Sequence, residues 1–367
     1  MRILFADLAA WDYDVDTPGE RALGGMQSAA CHLAVALAAD GHDVALLTGT
    51  ARPGLRRGVH CLAAADPRTP ELLAAFGFDA AVSLQAARTG WRERLAPGTP
   101  VLLWTGHADD QDAVAALADP DVRSVFDGFV FVGEWQRRRF AARFGIEEAR
   151  AAVIGNAVAP AFERLFSSRD DLAAAKARPP VLAYTSTPFR GLELLLAMMP
   201  RLSADCVLDV YSGLSTYDVA PADDPFAALY RRAAETPRVR YVGPLPQPAL
   251  ALALRPASLL AYPCIFAETF CISALEAMAA GCLVVTTDLG ALAQTTAGRA
   301  VLVPMDGGLP AAMHRYLGAL DDAVGRAGAP ETLDRLWEQV GWVNATGTWA
   351  VRAREWADLL SRANAVL

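Results

Sequence analysis

The feature that most constrains the fold of this sequence is a repeated alternation of short apolar segments with longer helical ones. The segment after Gly24 places apolar residues three and four positions apart, and Gly41 ends it directly before the strand-like DVALLT. Segments that are apolar on both faces are typical of buried parallel strands, and this order predicts an α/β protein built from βαβ units. The predicted strands are MRILFA, DVALLT, AAVSL, VLLW and GFVFVG in the first half, and VLAY, CVLDVY, VRYVG, SLLAYP and CLVVTT in the second.

The length and composition of the chain predict two domains. A chain of 367 residues corresponds to about two domains, and its hydrophobic content of 53% is enough for two cores. The polar stretch AFERLFSSRDDLAAAKARPP, which ends at Pro180, interrupts the alternation. We therefore expect one domain at residues 1–165, a second at residues 175–345 and a C-terminal segment at residues 346–367.

Charge and cysteine usage exclude several classes of protein. The net charge of -8 argues against the broad basic surface of a nucleic-acid-binding protein. The six cysteines are scattered without a CxxC pair, which indicates neither a disulfide framework nor a zinc site. No charged leader precedes a long apolar segment, and no uncharged apolar stretch reaches the roughly 18 residues of a membrane span. We therefore expect a cytoplasmic protein with no nucleic-acid partner.

Two glutamates eight positions apart stand out in the stretch ETFCISALEAMAAGCLVVTT, which begins at Glu268. The second glutamate, Glu276, lies three residues after Ser273, which is the spacing of a capping box that satisfies backbone donors at a helix start. That structural interpretation needs no function, but it leaves Glu268 unexplained. On the pattern alone, the structural and the functional interpretations both remain open.

A glycine pair, Gly24 and Gly25, lies directly before the first predicted helix. Paired glycines allow backbone N–H groups to approach a phosphate at a helix N-terminus, although the same pair is often only a turn. Doubly wound domains bind ligands at the carboxyl ends of their strands, and a two-domain version is expected to form its site in a cleft. Neither domain carries the GxGxxG fingerprint, which disfavours an NAD-dependent enzyme.

The order of these segments resembles the family-4 retaining glycosyltransferases of the GT-B fold, the glycosyl transferases group 1, over nearly the whole chain. The matching segments begin with the glycine pair and the GH before the second strand. They continue through FVGEWQRRRF, VIGNAVAPAF, FRGLELLL, VLDVYSG, VRYVGPLPQPAL and the two glutamates with AMAAG and VVTTDLGAL. Gly133 and Gly155 depart from the Ser and Pro that are more usual at these positions.

The resemblance implies a GT-B fold, with two doubly wound Rossmann-like domains facing a cleft. The first domain would take the acceptor and the second the nucleotide-sugar. The C-terminal helix, which carries Trp349 and Trp356, would cross back to the first domain. The implied reaction moves a hexose-type sugar from a nucleoside-diphosphate sugar to a hydroxyl acceptor with retention, without a metal or other cofactor. The acceptor stays open among glycan, natural product, lipid and protein.

The resemblance also implies roles for the residues around the two glutamates. Glu276 would bind the ribose hydroxyls of the donor, and Glu268 would lie beside the donor sugar. The glycine pair would bind the donor as well. The donor's sugar and diphosphate would contact the backbone amides at the helix start, which belong to Phe270, Cys271 and Ile272.

The resemblance further implies cationic and histidine positions, with departures. Arg190 matches the second of two phosphate-binding cations, whereas Thr187 stands where the first would be. His107 matches the active-site histidine beside the donor sugar, although a surface loop histidine is the alternative. Gln294 stands where the family generally has Glu. The missing charges leave a second hypothesis open, a nucleotide-sugar-binding or regulatory protein with weak or no turnover.

The loop from Ala9 to Gly25 is the predicted acceptor side. Its Trp11 and Tyr13 could form an aromatic platform for a polyhydroxylated or cationic acceptor, together with the acids Asp12, Asp14, Asp16 and Glu20. A solvated acidic loop is the alternative. The arginines of WQRRRF could meet an anionic acceptor or anionic lipid, which leaves peripheral membrane contact open, but an exposed helix face explains them equally well.

Overall fold

The chain divides into two compact units in the computed structural model, which describes residues 1–9 and 11–365. The first unit contains Met1–Glu20, Gly25–Ala157 and the C-terminal segment from Trp349, and the second contains Arg21–Gly24 and Val158–Thr348. The chain leaves the first unit before residue 165, the predicted boundary. Buried residues at this point, among them Val158 and Phe162, already belong to the hydrophobic core of the second unit.

The first unit is built on an eight-stranded sheet with the strand order β3-β4-β2-β1-β5-β6-β7-β8. All neighbouring strands pair in parallel except β3 and β4. The strands are β1 (Arg2–Ala6), β2 (Asp43–Thr48), β3 (Gly54–Arg56), β4 (Val59–Ala63), β5 (Ala80–Leu84), β6 (Val101–Thr105), β7 (Gly128–Phe131) and β8 (Ala151–Val153).

Helices connect these strands. They are α1 (Thr17–Glu20), α2 (Gly25–Ala39), α3 (Thr69–Phe76), α4 (Asp112–Ala115), α5 (Pro120–Ser124) and α6 (Glu134–Phe144).

The second unit is built on a six-stranded sheet with the order β11-β10-β9-β12-β13-β14, in which every pair is parallel. The strands are β9 (Val181–Tyr184), β10 (Val207–Val210), β11 (Val239–Tyr241), β12 (Ala257–Tyr262), β13 (Leu283–Thr287) and β14 (Val301–Val303). The helices are α7 (Arg169–Ala175), α8 (Leu192–Met198), α9 (Ala227–Glu235), α10 (Gln247–Leu254), α11 (Ile272–Ala279), α12 (Leu292–Thr296), α13 (Leu309–Arg326) and α14 (Pro330–Thr346).

The final helix, α15 (Trp349–Ala365), belongs to the first unit, as the resemblance implies. Its Trp356 is fully buried, with ring centroids 5.9 Å from Phe5 on β1 and 4.9 Å from Trp104 on β6. These aromatic contacts fix the helix against the sheet. The last two residues of the predicted 346–367 segment lie outside the described residues.

The strand order determines where each unit can hold a ligand. In the second sheet the chain runs from β9 outward to β11, and then returns to β12 on the other side of β9. Such a reversal of strand order opens a crevice at the carboxyl ends of the two central strands. The loops after β9 and β12, which carry Arg190 and Glu268, therefore meet at this edge. The first sheet has the same reversal between β1 and β5.

All ten strands predicted from apolar pattern are present. The strands that the pattern did not predict are β3, β4, β8 and β14, of which three have only three residues. Such short strands are defined by pairing with a neighbour rather than by their own composition. Within the described part of the chain, no helix is long and apolar enough to cross a membrane.

Candidate functional site

Glu268 is the centre of a buried polar cluster in the loop after β12. The residue is 4% exposed, and its Oε1 accepts hydrogen bonds from Arg190 Nη1 and from Tyr262 Oη, both at 2.5 Å. Oε2 accepts no hydrogen bond from the described residues. One carboxylate oxygen is therefore fixed by two donors, and the other keeps its capacity for a ligand hydroxyl.

Gly191, the residue after Arg190, allows the Arg190 loop to reach this cluster. Arg190 ends a 3₁₀ turn, Pro188–Arg190, and Gly191 follows at φ +121°. A Cβ at Gly191 would lie 2.2 Å from the carbonyl oxygen of Pro263, which directly follows β12. Only glycine allows the loops after β9 and β12 to approach so closely.

A second glycine supports Glu268 from the other side. Gly290 follows β13 at φ +63°, and a Cβ there would lie 2.3 Å from the backbone oxygen of Glu268. The N–H of Ala291 donates to the same oxygen at 2.7 Å. The glycine of DLGAL therefore lets the loop after β13 pack directly against the Glu268 backbone.

The environment of Arg190 favours its charged form. Burial lowers the pKa of Arg190, but the carboxylate of Glu268 raises it, and the net pKa lies well above the usual value. The guanidinium lies over the ring of Phe266, 4.6 Å from the ring centroid. Its Nε is buried and, like Thr187 Oγ1, has no hydrogen-bond partner among the described residues. Both are unused donors on the loop after β9.

The single lysine of the chain lies away from this cluster. Lys176 Nζ donates to the carbonyls of Arg255, Ala257 and Ala280, at 3.2, 2.7 and 2.8 Å. Those carbonyls lie at the amino ends of β12 and β13, the edge of the sheet opposite to Glu268. No lysine therefore supplies the charge that is missing at Thr187.

Glu276 lies within α11, 5% exposed, and its Oε1 accepts a hydrogen bond from Gln247 Nε2 at 2.9 Å. Burial raises the pKa of Glu276 to about 7, although the Gln247 hydrogen bond lowers it. The carboxylate therefore faces the start of α10 rather than the start of its own helix. A buried acid with such a pKa is characteristic of a functional site.

The capping-box interpretation is wrong. Ser273 is the second residue of α11, and its Oγ donates to the carbonyl of Thr185 at 3.1 Å. The helix begins after Cys271, whose side chain makes no capping hydrogen bond. A residue already inside the helix cannot cap it, and here Ser273 instead ties α11 to the loop after β9.

The predicted amide segment Phe270–Ile272 has a strained backbone. Cys271 is buried and adopts φ +76°, a left-handed conformation that costs a non-glycine residue about 1–3 kcal/mol. Thr295 Oγ1 donates to the carbonyl of Phe270 and holds the segment from α12. Strain of this kind persists where the surrounding structure imposes it, and it is frequent at ligand sites.

His107 follows β6 in the first unit and is half-buried. Its Nδ1 lies 3.0 Å from Gln111 Oε1, which also accepts the N–H of Ala108 at 2.8 Å. Because Oε1 is an acceptor, Nδ1 carries the proton, and Nε2 is the acceptor of the neutral ring. Burial lowers the pKa of His107, which favours this neutral form.

Gln136 supports the loop that carries His107, and the sequence analysis missed it. It is fully buried on α6, and its Nε2 donates to the carbonyls of Thr105 and His107 at 2.9 and 2.7 Å. Its Oε1 accepts the N–H of Val132 at 2.8 Å. A buried amide with all these partners fixes the loop that carries His107, and a polar residue at a buried helical position was the available signal.

The acceptor platform predicted on Tyr13 is not formed. Tyr13 is 1% exposed and donates its hydroxyl to Asp7 Oδ2 at 2.9 Å, so its ring belongs to the core. Trp11 remains half-buried. The glycine pair precedes and begins α2, with Gly24 grouped in the second unit and Gly25 in the first.

Several charged side chains of the predicted acceptor loop and of WQRRRF form ion pairs within the protein. Asp14 pairs with Arg52 at 3.0 Å, and Arg52 also reaches Glu20 at 2.8 Å. On α6, Arg139 pairs with the buried Asp109 at 2.9 Å, and Arg137 pairs with Glu134 at the same distance. These ion pairs give structural roles to residues considered for acceptor or lipid contact.

Comparison with known proteins identifies the second unit. Residues 179–319 match the family described as Glycosyl transferases group 1. The matched stretch, called the group 1 domain here, lies within the second unit. The group 1 domain contains Arg190, Glu268 and Glu276, so the motifs that carried the resemblance lie in the matched region. No curated protein sequence matches the chain.

Solved structures show the fold of the whole chain. Sucrose-phosphate synthase from Thermosynechococcus elongatus is 18% identical, with a TM-score of 0.73 and full coverage of both chains. A glycosyltransferase from Rickettsia africae is 13% identical, with a TM-score of 0.74 over 99% of this chain and 98% of that one. Anabaena HepE in complex with UDP and glucose is 14% identical, with a TM-score of 0.63 over 99% and 100%. The predicted GT-B fold is confirmed.

Proposed function

We propose that this protein transfers a hexose-type sugar from a nucleoside-diphosphate sugar to a hydroxyl-bearing acceptor, with retention and without a metal or other cofactor. The observation that carries the proposal is the Glu268 cluster within the group 1 domain. A carboxylate with one oxygen fixed by Arg190 and Tyr262 lies at the strand-order reversal where such sheets bind ligands.

The two glutamates are proposed to bind different parts of the donor. Glu276 would accept hydrogen bonds from the ribose hydroxyls, and its burial strengthens them. Glu268 would accept a hydroxyl of the sugar on Oε2. Support for a nucleoside-diphosphate sugar as donor comes from HepE, a protein of the same fold whose structure contains UDP and glucose.

The leaving diphosphate is proposed to be stabilised by the protein's own donors. Negative charge grows on the diphosphate as the bond to the anomeric carbon breaks, and preorganised donors lower that barrier. Arg190 supplies the charge, and Thr187 Oγ1 supplies a neutral donor on the same loop. The amides of the strained Phe270–Ile272 segment and of the glycine pair complete the proposed set.

His107 is proposed to act on the donor sugar. Its neutral ring, protonated on Nδ1 by the Gln111 contact, presents Nε2 as an acceptor for a sugar hydroxyl. Retention requires the acceptor to attack the face that the leaving group vacates. We propose an α-linked product from an α-linked donor.

A second candidate function is a nucleotide-sugar-binding or regulatory protein with weak or no turnover. It is favoured by Thr187 in place of a cation and by the commitment of the single lysine to three backbone carbonyls. Both candidates bind the donor, and only the first turns it over.

Measurements of nucleotide binding and then of donor turnover distinguish the two candidate functions. A thermal-shift panel of UDP, GDP, ADP, dTDP and NAD should show stabilisation by one nucleoside diphosphate, about 2.7 kcal/mol at 100 times its Kd. The matching sugar donor should then be hydrolysed or transferred. Binding without any turnover over a panel of hydroxyl acceptors would favour the second candidate. A response to NAD alone would overturn the assignment.

A further inference from the structure

Each of the two glutamates has one uncharged hydrogen-bond donor, and the two donors come from different elements. Tyr262, the last residue of β12, donates to Glu268, and Gln247, the first residue of α10, donates to Glu276.

We propose that Tyr262 and Gln247 are two independent positioning residues, of which Tyr262 orients Glu268 toward the donor sugar and Gln247 orients Glu276 toward the nucleoside. The proposal rests on the proposed function and deepens it, because it assigns recognition of the sugar and of the nucleoside to separate supports.

The hydrogen-bond directions around Tyr262 determine where its proton lies. Tyr262 is buried, and Ser186 Oγ donates to its hydroxyl oxygen at 3.3 Å. The phenol proton is then directed to Glu268 Oε1, the same oxygen that Arg190 contacts. Two donors on one oxygen prevent the carboxylate from rotating and keep Oε2 toward a ligand.

Tyr262 can hold Glu268 in place when Arg190 is engaged elsewhere. Arg190 carries the only charge assigned to the diphosphate, and a phosphate oxygen would compete with Glu268 for its guanidinium. The Tyr262 ring packs against Tyr184, with centroids 5.9 Å apart, and cannot move in the same way. Removing the Tyr262 hydroxyl therefore loosens Glu268 at the stage when the donor is bound.

Gln247 makes the one hydrogen bond that the described residues provide to the Glu276 carboxylate. The two side chains belong to neighbouring helices, so the contact also fixes the start of α10 against α11. Without Gln247, a carboxylate that is 5% exposed would lose its donor and could turn away from the ribose or take up a proton.

Tyr262 and Gln247 hold different glutamates, so substitutions of the two residues should have different effects on binding. Removal of Tyr262 Oη should weaken contacts to the sugar and leave contacts to the nucleoside diphosphate intact. Removal of the Gln247 amide should weaken binding of the nucleoside diphosphate whether or not the sugar is attached. Loss of a hydrogen bond to a charged group typically changes affinity about 10-fold or more.

The test compares Tyr262→Phe and Gln247→Ala in the full chain, with Tyr316→Phe as the matched control. Tyr316 is a fully buried tyrosine of the same unit. Its hydroxyl donates to the Val285 carbonyl at 2.8 Å and also interacts with the backbone of Tyr262, but it makes no hydrogen bond to either glutamate among the described residues. Calorimetry measures the Kd of UDP, or of the nucleoside diphosphate that the thermal-shift panel selects, and of its glucose conjugate. Steady-state kinetics measure kcat and KM.

Tyr262→Phe should weaken the sugar conjugate about 10-fold with the Kd of the nucleoside diphosphate within about 2-fold, and should lower kcat. Gln247→Ala should weaken both ligands about 10-fold and raise KM, with kcat at saturation within about 3-fold. Tyr316→Phe should change neither Kd. Equal loss of both ligands in Tyr262→Phe, or unchanged Kd values in Gln247→Ala, would overturn the proposal.

The proposed function fails in a different and recognisable way. If the parent chain binds no nucleoside diphosphate, the function itself is overturned before any variant is compared. If the parent chain binds the nucleoside diphosphate but does not turn over its sugar conjugate, the Kd values of the variants still show whether Tyr262 and Gln247 act separately or together.

Discussion

At the scale of single residues, the chemistry of the site depends on how burial and hydrogen bonding treat two glutamates differently. Glu268 accepts hydrogen bonds from a charged donor, Arg190, and from a neutral donor, Tyr262, on the same oxygen. Glu276 has only the amide of Gln247, and burial raises its pKa to about 7. The same residue type therefore has two different sets of hydrogen-bond partners within eight positions.

The raised pKa of Glu276 predicts that nucleotide affinity depends on pH. The ionised carboxylate is the better acceptor for ribose hydroxyls, so the affinity for a nucleoside diphosphate should fall as the pH falls below about 7. The phosphate also titrates near this pH, with a second pKa near 6 by analogy with other phosphate monoesters. Glu276→Gln separates the titration of Glu276 from that of the phosphate. The variant should bind the nucleoside diphosphate more weakly at pH 8, and its affinity should depend less on pH. Identical profiles in calorimetry would contradict the ribose assignment.

The same pKa has a consequence for stability. A carboxyl group whose pKa is raised in the folded state holds its proton over the range from about 4.5 to about 7, whereas the unfolded chain does not. The Glu276 contribution to the free energy of unfolding should therefore decrease as the pH rises through this window. Glu276→Gln should flatten that decrease in urea titrations at successive pH values, and a steeper decrease would contradict the assignment.

Arg190 is predicted to matter more for turnover than for donor affinity. Charge on the leaving diphosphate is greatest after the bond begins to break, so an arginine that meets this charge contributes most in the transition state. Arg190→Ala should lower kcat about 10- to 100-fold, with a smaller rise in KM, and Arg190→Lys should restore part of the rate.

Arg190→Ala also removes the charged partner of a buried carboxylate, so folding must be measured beside activity. A thermal melt of Arg190→Ala identifies any loss of structure, and Glu268→Gln serves as a companion that removes the other half of the ion pair. Parental donor hydrolysis by a folded Arg190→Ala protein would show that Arg190 is not the phosphate ligand.

At the scale of secondary-structure elements, the site is a meeting of loops that two glycines make possible. The loop after β12 is approached by the loop after β9 at Gly191 and by the loop after β13 at Gly290. Both positions have positive φ, and both leave no room for a Cβ. The geometry of Glu268 therefore depends on backbone contacts as much as on its side-chain partners.

Gly191→Ala is predicted to displace the loop that carries Arg190. The added Cβ would meet the Pro263 carbonyl oxygen at 2.2 Å, and the backbone must move because neither partner is a flexible side chain. We expect a lower melting temperature and a loss of kcat comparable to that of Arg190→Ala. Gly318→Ala is the matched control, because Gly318 lies in α13 with no atom within 4 Å of an added Cβ.

The control should move in the opposite direction. Alanine in an exposed helix interior is favoured over glycine by about 0.5–1 kcal/mol, so Gly318→Ala should raise the melting temperature slightly and leave kcat unchanged. If Gly191→Ala behaves like Gly318→Ala, the close approach of the loops after β9 and β12 does not determine the site.

At the scale of the whole molecule, the GT-B fold supplies two sheets, and the group 1 domain holds the two glutamates and Arg190. Across the described residues, no group of three or more His, Cys, Asp or Glu side chains is arranged to hold a metal ion. The donors proposed for the diphosphate are an arginine, a hydroxyl and backbone amides.

We predict transfer that needs no metal and that retains the anomeric configuration. Transfer should continue at the parental rate in EDTA, and proton NMR of a gluco-configured product from an α-linked donor should show the small coupling of an α-anomer. A large diaxial coupling would indicate inversion. Activity that EDTA abolishes and magnesium restores would show that a metal, rather than Arg190 and the amides, meets the leaving-group charge.

The α/β class, ten of the strands, the group 1 resemblance and the choice of Glu268, Glu276 and Arg190 as candidate site residues could all be predicted from the amino-acid sequence. These features are local. Strand and helix periodicity extends over a few residues, and glycines at RG and DLG report backbone conformations that only glycine adopts easily.

Only the tertiary structure decided what each of these residues contacts. Tyr262 contacts Glu268 across six residues because the loop after β12 turns back, and Gln247 contacts Glu276 from another helix, 29 residues away in sequence. The apolar pattern of their own segments marks neither residue. The sequence predicts Tyr13 as part of an aromatic platform with nearby carboxylates, yet Arg52 and Arg56 from a distant segment pair with Asp14 of that loop, and the ring is buried. Ser273 matched a cap in spacing, but the helix starts one residue earlier, because the chain reaches it through Cys271 at positive φ. For Gln247 and for the loop of Tyr13 the deciding partner is far away in sequence, and periodicity carries no information about such pairs.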